Sequence, residues 1–316
     1  MSGAYAKRFI GLNLKELKDN FIHSISEIYP SEEIQSFFNI LAEKYLNLTR
    51  IEIALHPDKE VSEENKKIFE SAIHRLQQFE PIQYIIGDTE FFWLTFRVDN
   101  NVLIPRPETE ELVNWIILEN KEKRGERRDL FFADEKPKVI LDIGTGSGCI
   151  AISLAHNLPN TKVSAIDISE GAINIAKQNA IANNVSVNFQ LMDILKFNQE
   201  PWSLVFKDLK FDTIVSNPPY IRVQEKSQIE PNVIKYEPAL ALFVEDDDPL
   251  LFYRKIAQFS QKYLKPDGTL FFEINEYLSK DLYQMLKQEE FVEIEIRKDI
   301  FGKDRMVKCK KDEKTK

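Results

Sequence analysis

Leu141-Asp-Ile-Gly-Thr-Gly-Ser-Gly148 is the stretch of sequence that decides the fold of this chain. Its first residues complete the apolar run 139–143, which suits a buried strand, and residues 150–158 beyond it have the pattern of a helix. Glycines between a strand and a helix allow the backbone to approach a ligand closely. The stretch therefore predicts the first strand, the ligand-binding turn and the first helix of an α/β sheet.

Short apolar runs and helical stripes alternate along the rest of the chain. Strand-like runs lie at 163–166, 187–192, 211–216 and 270–274, and helix-like stripes lie at 172–182, 250–264 and 278–286. This alternation predicts a doubly wound parallel sheet with helices on both faces. The last two runs, 291–296 and 305–309, have no helix between them, so they predict an antiparallel hairpin at the edge of the sheet.

The N-terminal part of the chain has a different pattern. Between Leu14 and Leu76 the apolar residues recur at helical spacing in three stripes. These stripes predict a small helical bundle, which we place over residues 1–85.

A hairpin is predicted to join the bundle to the α/β domain. An aromatic and β-branched run at 90–98 is followed by the turn residues Asp99-Asn-Asn101 and by a second run at 102–104. We therefore predict a β-hairpin linker over 86–105 and the α/β domain over 106–316.

Composition and charge limit the classes of protein. The chain has 316 residues, of which 43% are hydrophobic, and a formal net charge of −9, which argues against direct binding of nucleic acid through a basic surface. No apolar run is long enough to span a membrane and no signal peptide is recognisable, so a cytoplasmic protein is expected. The charged stretch 121–136 is predicted to be a solvated loop. The two cysteines and four histidines form no metal-ligand pattern, so no metal site is predicted.

A carboxylate follows the second predicted strand. Asp167 can accept hydrogen bonds from both hydroxyls of a ribose held against the glycine loop. Gly146-Ser-Gly148-Cys-Ile-Ala151 also matches the G-x-G-x-x-A fingerprint of dinucleotide-binding proteins, so a nicotinamide enzyme competes with other nucleoside-binding enzymes at this point.

Three features favour S-adenosylmethionine over a dinucleotide. The closely spaced glycines after Asp142 suit its amino acid end, Asp193 after the third apolar run can face an adenine amino group, and a polar motif begins at Asn217 after the fourth. The carboxyl ends of parallel strands meet at one crevice, so these groups are expected to converge. The structural alternative for Asp142, Asp167 and Asp193 is helix capping or turn formation.

Asn217-Pro218-Pro219-Tyr220 is the motif that points to chemistry. The prolines remove two backbone donors and stiffen the turn, which leaves the Asn217 side-chain oxygen and the Pro218 carbonyl as acceptors. These two oxygens can hold the NH2 group of an amide or nucleobase while Tyr220 stacks on its flat face. The structural alternative is a proline-stiffened loop without chemical function.

With these motifs the chain resembles the PrmC or HemK family of protein-glutamine methyltransferases over nearly its full length. The resemblance is carried by Pro81-Ile-Gln-Tyr-Ile-Ile-Gly87 running to Phe91, by Val102-Leu-Ile-Pro-Arg-Pro-Glu-Thr-Glu110, by the Asp142–Gly148 loop and by Ser216-Asn-Pro-Pro-Tyr-Ile221. Two weaker segments are Tyr236-Glu-Pro-Ala-Leu-Ala-Leu-Phe243 and Lys298-Asp-Ile-Phe-Gly-Lys-Asp-Arg305.

The resemblance implies a Rossmann-like, seven-stranded methyltransferase domain, S-adenosylmethionine as the methyl donor, and the glutamine of the Gly-Gly-Gln loop of class-one peptide chain release factors as the acceptor. Separately, we predict that the bundle contributes to recognition of the protein substrate, because the hairpin and Pro105-Arg106-Pro107 attach it beside the predicted cleft. The cofactor would be held by Gly144, Thr145, Gly146, Ser147, Gly148, Asp167, Asp193, Ile194 and Asn217. The glutamine would be held by Arg106, Asn217, Pro218, Pro219 and Tyr220, with Asn217, Pro218 and Tyr220 as the catalytic residues.

The chain departs from this family pattern at two places. Val244-Glu-Asp-Asp-Asp-Pro249 replaces a stretch that usually contains glycine, and Ile194 stands where an aromatic residue is common. The first departure affects one wall of the substrate cleft, and the second weakens stacking on adenine.

Other functions compatible with the sequence are a ribosomal protein glutamine methyltransferase, which shares the Asn-Pro-Pro-Tyr motif, and an adenine-amino DNA methyltransferase. A nicotinamide oxidoreductase fits the glycine loop but leaves Asn217 to Tyr220 unexplained. A binding protein without catalytic activity is a further alternative.

Overall fold

The structure is a computed structural model that describes residues 13–125, 137–199, 202–206 and 209–312. The chain divides into two compact units, Met1–Gly87 and Asp88–Lys316.

The first unit is helical, as the three apolar stripes predict. Phe21, Phe38 and Phe69 pack edge to face or tilted at its centre, with ring centroids 5.5 to 6.2 Å apart. The side chains of Asn13 and Thr49 cap the first and third helices. The helices are α1 (Leu14–Ile25), α2 (Ser31–Leu41) with a π-helical turn (Ala42–Leu46), α3 (Arg50–Leu55), α4 (Glu63–Leu76) and α5 (Ile82–Ile86).

The second unit contains a seven-stranded sheet. Its strands are β3 (Lys138–Ile143), β4 (Thr161–Asp167), β5 (Val187–Leu191), β6 (Phe211–Ser216), β9 (Leu264–Glu273), β10 (Phe291–Lys298) and β11 (Asp304–Lys311). They lie in the order β10-β11-β9-β6-β3-β4-β5. The five strands from β9 to β5 in this order are parallel, and β11 runs antiparallel to both β9 and β10. The predicted doubly wound sheet and its antiparallel edge are thus confirmed.

Helices cover both faces of this sheet. Alternate residues of a strand point to opposite faces, and in β9 the side chains of Leu270 and Phe272 belong to one core cluster while Phe271 belongs to the other. The helices are α6 (Pro107–Gly125), α7 (Cys149–Asn157), α8 (Glu170–Ala182), α9 (Trp202–Val205), α10 (Pro231–Tyr236), α11 (Ala239–Leu242), α12 (Leu251–Tyr263) and α13 (Ser279–Gln288). Two short strands, β7 (Ile221–Arg222) and β8 (Phe243–Val244), pair with each other outside the main sheet.

The predicted hairpin turn at residues 99–101 is wrong. The hairpin consists of β1 (Asp88–Phe91) and β2 (Leu94–Arg97), and its two-residue turn is Phe92-Trp93, with φ of 49° and 65°. Such primed turns are usually made by Asn or Gly, so two aromatic residues gave no turn signal within the run 90–98. Residues 102–104 form no strand.

The hairpin lies within the second unit and contacts α8. The Arg97 backbone N–H donates to Asn179 Oδ1 at 2.7 Å, and Asn179 Nδ2 donates to the Arg97 carbonyl at 3.0 Å. These paired hydrogen bonds fix β2 against the helix that follows β4.

The predicted loop at 121–136 is wrong in its first part, because α6 continues to Gly125. Its remainder, 126–136, lies outside the described residues. No helix within the described ranges is both long and apolar enough to cross a membrane.

The sheet order creates the crevice that ligands use in this architecture. In the sheet β4 lies on one side of β3 and β6 lies on the other. The loops that follow these strands therefore lead in opposite directions and separate at the carboxyl edge of the sheet. The glycine loop, Asp167 and Asn217 lie at the ends of these three adjacent strands.

Candidate active site

The glycine loop combines an open surface with a closely packed helix start. Gly144 and Gly146 line a cavity, have φ of 73° and 55°, and a Cβ built on either would meet no atom within 4 Å. Gly148 has φ of 83°, and a Cβ there would lie 2.8 Å from Ile152 Cδ1 and 3.1 Å from Ala176 Cβ. The first two glycines thus leave room for a ligand, whereas the third allows α7 and α8 to pack.

Asp167 holds the glycine loop in place. Its Oδ2 accepts a hydrogen bond from the Gly146 backbone N–H at 2.9 Å, and its Oδ1 accepts one from Ser169 at 2.8 Å. Burial raises the pKa of Asp167, and the backbone hydrogen bonds oppose that shift. A carboxylate has about four lone-pair sites, so it can also accept hydrogen bonds from ribose hydroxyls in the cavity that it lines.

Asp142 lies beneath the loop rather than in the cavity. It is fully buried, and its Oδ2 accepts a hydrogen bond from Thr145 Oγ1 at 2.6 Å. Burial raises the pKa of Asp142 to about 7, with a small further contribution from the Asp167 charge. Turn formation therefore accounts for this residue. Gly144, Thr145, Gly146 and Ser147 line the cavity, whereas Gly148, also predicted to hold the cofactor, does not.

Asp193 and Ile194 line the same cavity. Asp193 Oδ1 accepts from the Leu195 backbone N–H at 3.0 Å, and its Oδ2 lies 3.2 Å from Lys196 Nζ. The capping alternative for Asp193 is thus realised, with one side of the residue still facing the cavity. A contact of Asp193 or Ile194 with adenine remains a prediction.

The loop offers few backbone donors to a phosphate. Dinucleotide-binding loops direct their backbone N–H groups at the pyrophosphate. Here four loop N–H groups donate within the protein, namely Gly144 and Thr145 to the Ile166 carbonyl, Gly146 to Asp167, and Gly148 to the Thr145 carbonyl. The cavity wall includes the carboxylates Asp167 and Asp193. These groups fit a nucleoside with free ribose hydroxyls better than a pyrophosphate.

Asn217 lies where two cavities meet. It lines the glycine-loop cavity and also a second cavity, whose wall includes Tyr220, Glu230 and Glu273. Ser216 Oγ donates to the Ile143 carbonyl at 2.6 Å, which ties the end of β6 to the end of β3. Asn217 therefore belongs to the walls of both cavities.

A buried carboxylate supports the motif from behind. Glu273, at the end of β9, accepts from Tyr220 Oη at 3.1 Å and from Thr109 Oγ1 at 2.6 Å. Asn217 Nδ2 donates to the same Thr109 oxygen at 3.4 Å, and Asn275 Nδ2 donates to the Tyr220 carbonyl at 3.0 Å. Burial raises the pKa of both Glu273 and Tyr220.

Comparisons with known proteins decide the family. One family model, described as a methyltransferase domain, matches residues 134–308, and another, described as the PrmC N-terminal domain, matches residues 21–87. A protein of Flavobacterium psychrophilum named release factor glutamine methyltransferase is 46% identical, covering 93% of this chain and 98% of the relative. One of the same name from Bacteroides thetaiotaomicron is 42% identical, covering 90% of this chain and 95% of the relative. This chain belongs to the release factor glutamine methyltransferase family.

A solved structure also shares the fold. The catalytic domain of hMettl16, solved in complex with the MAT2A 3′UTR hairpin 6, has a TM-score of 0.50 and 15% sequence identity, covering 80% of this chain and 82% of that chain. At this identity the likeness concerns the Rossmann-like methyltransferase fold alone.

S-adenosylmethionine is the cofactor of this methyltransferase, as the sequence predicts. The site fits it, because Gly144 and Gly146 leave open space and Asp167 offers carboxylate oxygens at the end of β4. The roles of the individual residues that line the cavity remain predictions.

Arg106, predicted to bind substrate, is paired within the protein. One of its terminal nitrogens lies 2.6 Å from Oε1 of the buried Glu237, whose Oε2 accepts from the Ile104 backbone N–H at 3.2 Å. Arg106 lines both cavities, so a contact with the acceptor stays a prediction. Glu237, through its contacts with Arg106 and Ile104, joins the segment before α11 to the segment before α6.

Sequence reasoning missed Thr109, Glu273 and Asn275. The signal was present for Glu273, which places a carboxylate within the apolar run 270–274 of a predicted buried strand. A buried acid in such a run needs hydrogen-bond partners, but the sequence does not show that they come from α6 and from the Asn217 motif.

Proposed function

We propose that this chain transfers the methyl group of S-adenosylmethionine to the side-chain amide nitrogen of the glutamine in the Gly-Gly-Gln motif of class-one peptide chain release factors, in the cytoplasm. The observation that carries the proposal is the position of Asn217, which lines both the glycine-loop cavity and the second cavity. An acceptor group in the second cavity would meet the methyl donor at this residue.

The acceptor nitrogen must be activated, because an amide nitrogen is a poor nucleophile. Its lone pair is delocalised into the carbonyl group. Asn217 Oδ1 and the Pro218 carbonyl would each accept a hydrogen bond from one N–H of the glutamine NH2. These two hydrogen bonds would orient the nitrogen and increase its electron density. The cofactor supplies an electrophilic methyl group when bound. Positioning would then provide most of the rate, and the proton released after methylation would pass to water or a nearby acceptor.

Tyr220 has two functions in this proposal. Its phenol is fixed by Glu273 at 3.1 Å, and its backbone carbonyl by Asn275 at 3.0 Å, so the ring has a defined position on the wall of the second cavity. A fixed ring can restrict the plane of the glutamine amide. The same contacts keep the Asn-Pro-Pro-Tyr turn rigid.

The acceptor protein is inferred from the relatives. Proteins 46% and 42% identical to this chain are named release factor glutamine methyltransferases. The net charge of −9 disfavours DNA as the acceptor, since binding a phosphate backbone calls for clustered Lys and Arg. A ribosomal protein glutamine is the nearest competing acceptor, because it presents the same amide.

The helical unit is proposed to recognise the protein substrate. Its match to the PrmC N-terminal domain supports a role that a pocket for free glutamine would not need. Binding energy from contacts remote from the reacting amide can be used for orientation, so a folded release factor should have a higher kcat/KM than a short Gly-Gly-Gln peptide. Equal kcat/KM values would reject this role while leaving the methyltransferase assignment intact.

Competition between acceptors tests the proposed function. The enzyme is incubated with S-adenosylmethionine labelled in its methyl group and, in parallel, with a release factor, a ribosomal protein fraction and DNA. We expect label on the release factor. Preferential label on ribosomal protein or on DNA would assign the enzyme to that substrate and reject the proposal.

A further inference from the structure

Two hydroxyl side chains from separate parts of the fold converge on one buried carboxylate. Glu273 ends β9 and is 1% exposed, Thr109 lies in the first turn of α6, and Tyr220 lies in the loop after β6. Thr109 Oγ1 is 2.6 Å from Glu273 Oε2, and Tyr220 Oη is 3.1 Å from Glu273 Oε1. Both carboxylate oxygens are therefore engaged by hydroxyl groups that belong to the walls of the site.

The direction of these hydrogen bonds follows from chemistry. When Glu273 is ionised it can only accept, so both hydroxyl groups donate their single hydrogen to it. Thr109 Oγ1 then has no hydrogen left to donate, so it can only accept further hydrogen bonds. The neighbouring Asn217 Nδ2, 3.4 Å away, can donate one of them.

The direction of the Thr109–Glu273 hydrogen bond determines the orientation of the Asn217 amide. A carboxamide has an acceptor oxygen on one side and a donor NH2 on the other, and the two orientations have nearly the same shape. If the NH2 is directed at Thr109, the oxygen is directed away from it. Only that orientation offers an acceptor to an incoming NH2 group, whereas the flipped amide would present a donor to a donor.

We propose that Glu273 is a positioning residue that acts through Thr109 to orient the Asn217 carboxamide and through Tyr220 to fix the aromatic wall of the acceptor pocket. The inference rests on the proposed function of the site. It adds a residue that acts on Asn217 indirectly, since its carboxylate reaches the carboxamide only through the Thr109 hydroxyl.

Thr109 offers a matched pair of variants. Thr109→Val keeps the shape of the side chain and removes the hydroxyl, while Thr109→Ser keeps the hydroxyl and removes the methyl group. We expect Thr109→Val to lower kcat on release factor by about tenfold, the value of one hydrogen bond, with cofactor affinity changed less than about threefold. Thr109→Ser should restore most of the lost kcat, because it retains the directed hydrogen bond.

Glu273→Gln tests the carboxylate itself. The amide of this variant can donate to Thr109 as well as accept from it. The direction of the hydrogen bonds that link residue 273, Thr109 and Asn217 is then no longer fixed. We expect kcat to fall by about tenfold or more while cofactor affinity is nearly unchanged. If this variant fails to fold, the Thr109 pair decides the outcome.

A double-mutant cycle separates positioning from general packing. In an Asn217→Ala background there is no amide to orient, so Thr109→Val should cause little further loss of kcat. A second loss of about tenfold in that background would overturn the inference, as would near-native kcat for Thr109→Val in the native background. Native enzyme that methylates no release factor would instead reject the proposed function, so the two failures are distinguishable.

Discussion

Asp167 Oδ2 accepts a hydrogen bond from the Gly146 backbone N–H at 2.9 Å, so the carboxylate that ends β4 also anchors the loop that follows β3. The same side chain receives the Ser169 N–H through its other oxygen. One residue therefore connects two neighbouring strand ends around the cofactor cavity. Its loss should affect the cofactor more than the fold.

Asp167→Ala should weaken S-adenosylmethionine binding by about ten- to a hundredfold, because a charged hydrogen-bonding partner is lost from the ribose and from the loop. Calorimetry on folded protein measures the change. Asp212→Ala is the matched control, since Asp212 Oδ2 accepts from the Val139 backbone N–H at 2.7 Å at the opposite ends of β6 and β3. The control should lose stability and keep cofactor affinity; unchanged affinity in Asp167→Ala would contradict the assignment.

Gly146 and Gly302 make a second matched pair. Both have positive φ, 55° and 81°, and a Cβ on either meets no atom within 4 Å. Substitution by Ala should therefore cost each protein about 1 to 2 kcal/mol of backbone strain. Only Gly146 lines the cavity, so Gly146→Ala should also lower cofactor affinity, measured by calorimetry, whereas Gly302→Ala should not. Equal affinities of the two variants would show that the loop does not approach the cofactor closely.

Asn217→Ala should reduce turnover far more than cofactor binding. Removing one positioning group from a reacting centre lowers kcat by about 10²-fold. The measurement compares kcat on saturating release factor with the cofactor dissociation constant, which we expect to change less than about threefold. Near-native kcat would mean that the acceptor amide is held elsewhere.

Asp142 predicts a pH dependence of stability. Burial raises the pKa of its carboxyl from 3.8 to about 7, so the folded protein retains a proton that the unfolded chain has lost. Stability should therefore fall as pH rises between these two values. Asp142→Asn cannot lose this proton, so the free energy of unfolding of the variant relative to the native protein should increase by roughly 2 to 3 kcal/mol between about pH 5 and about pH 8.

Denaturant unfolding at the two pH values measures this difference. Comparison of the variant with the native protein cancels the other titrating groups, because these are common to both chains. A difference that does not change with pH would mean that Asp142 stays ionised within the fold.

The alternating pattern of strands and helices was sufficient to predict the crevice. It placed the glycine loop, Asp167 and Asn217 after three strands, and parallel strands bring their carboxyl ends to one edge of a sheet. These positions follow from local periodicity and from the handedness of the crossovers, which are largely independent of side-chain detail.

The support behind the site could not be predicted in the same way. The hydrogen bond between Thr109 and Glu273 joins residues 164 positions apart in the chain, and no local pattern specifies such a pair. The Phe92-Trp93 turn was missed for a different reason. Aromatic residues usually favour strands. Phe92 and Trp93 both adopt positive φ in the turn, so the tertiary context overrides their strand propensity here.

Tandem mass spectrometry of a release factor treated with the enzyme and S-adenosylmethionine tests the central claim most directly. We expect a single added methyl group on the side-chain nitrogen of the glutamine in the Gly-Gly-Gln motif. A variant factor with Gly-Gly-Ala should remain unmodified, and the Asn217→Ala enzyme should modify the native factor far more slowly. A methyl group at any other residue, or on the Gly-Gly-Ala factor, would contradict the account.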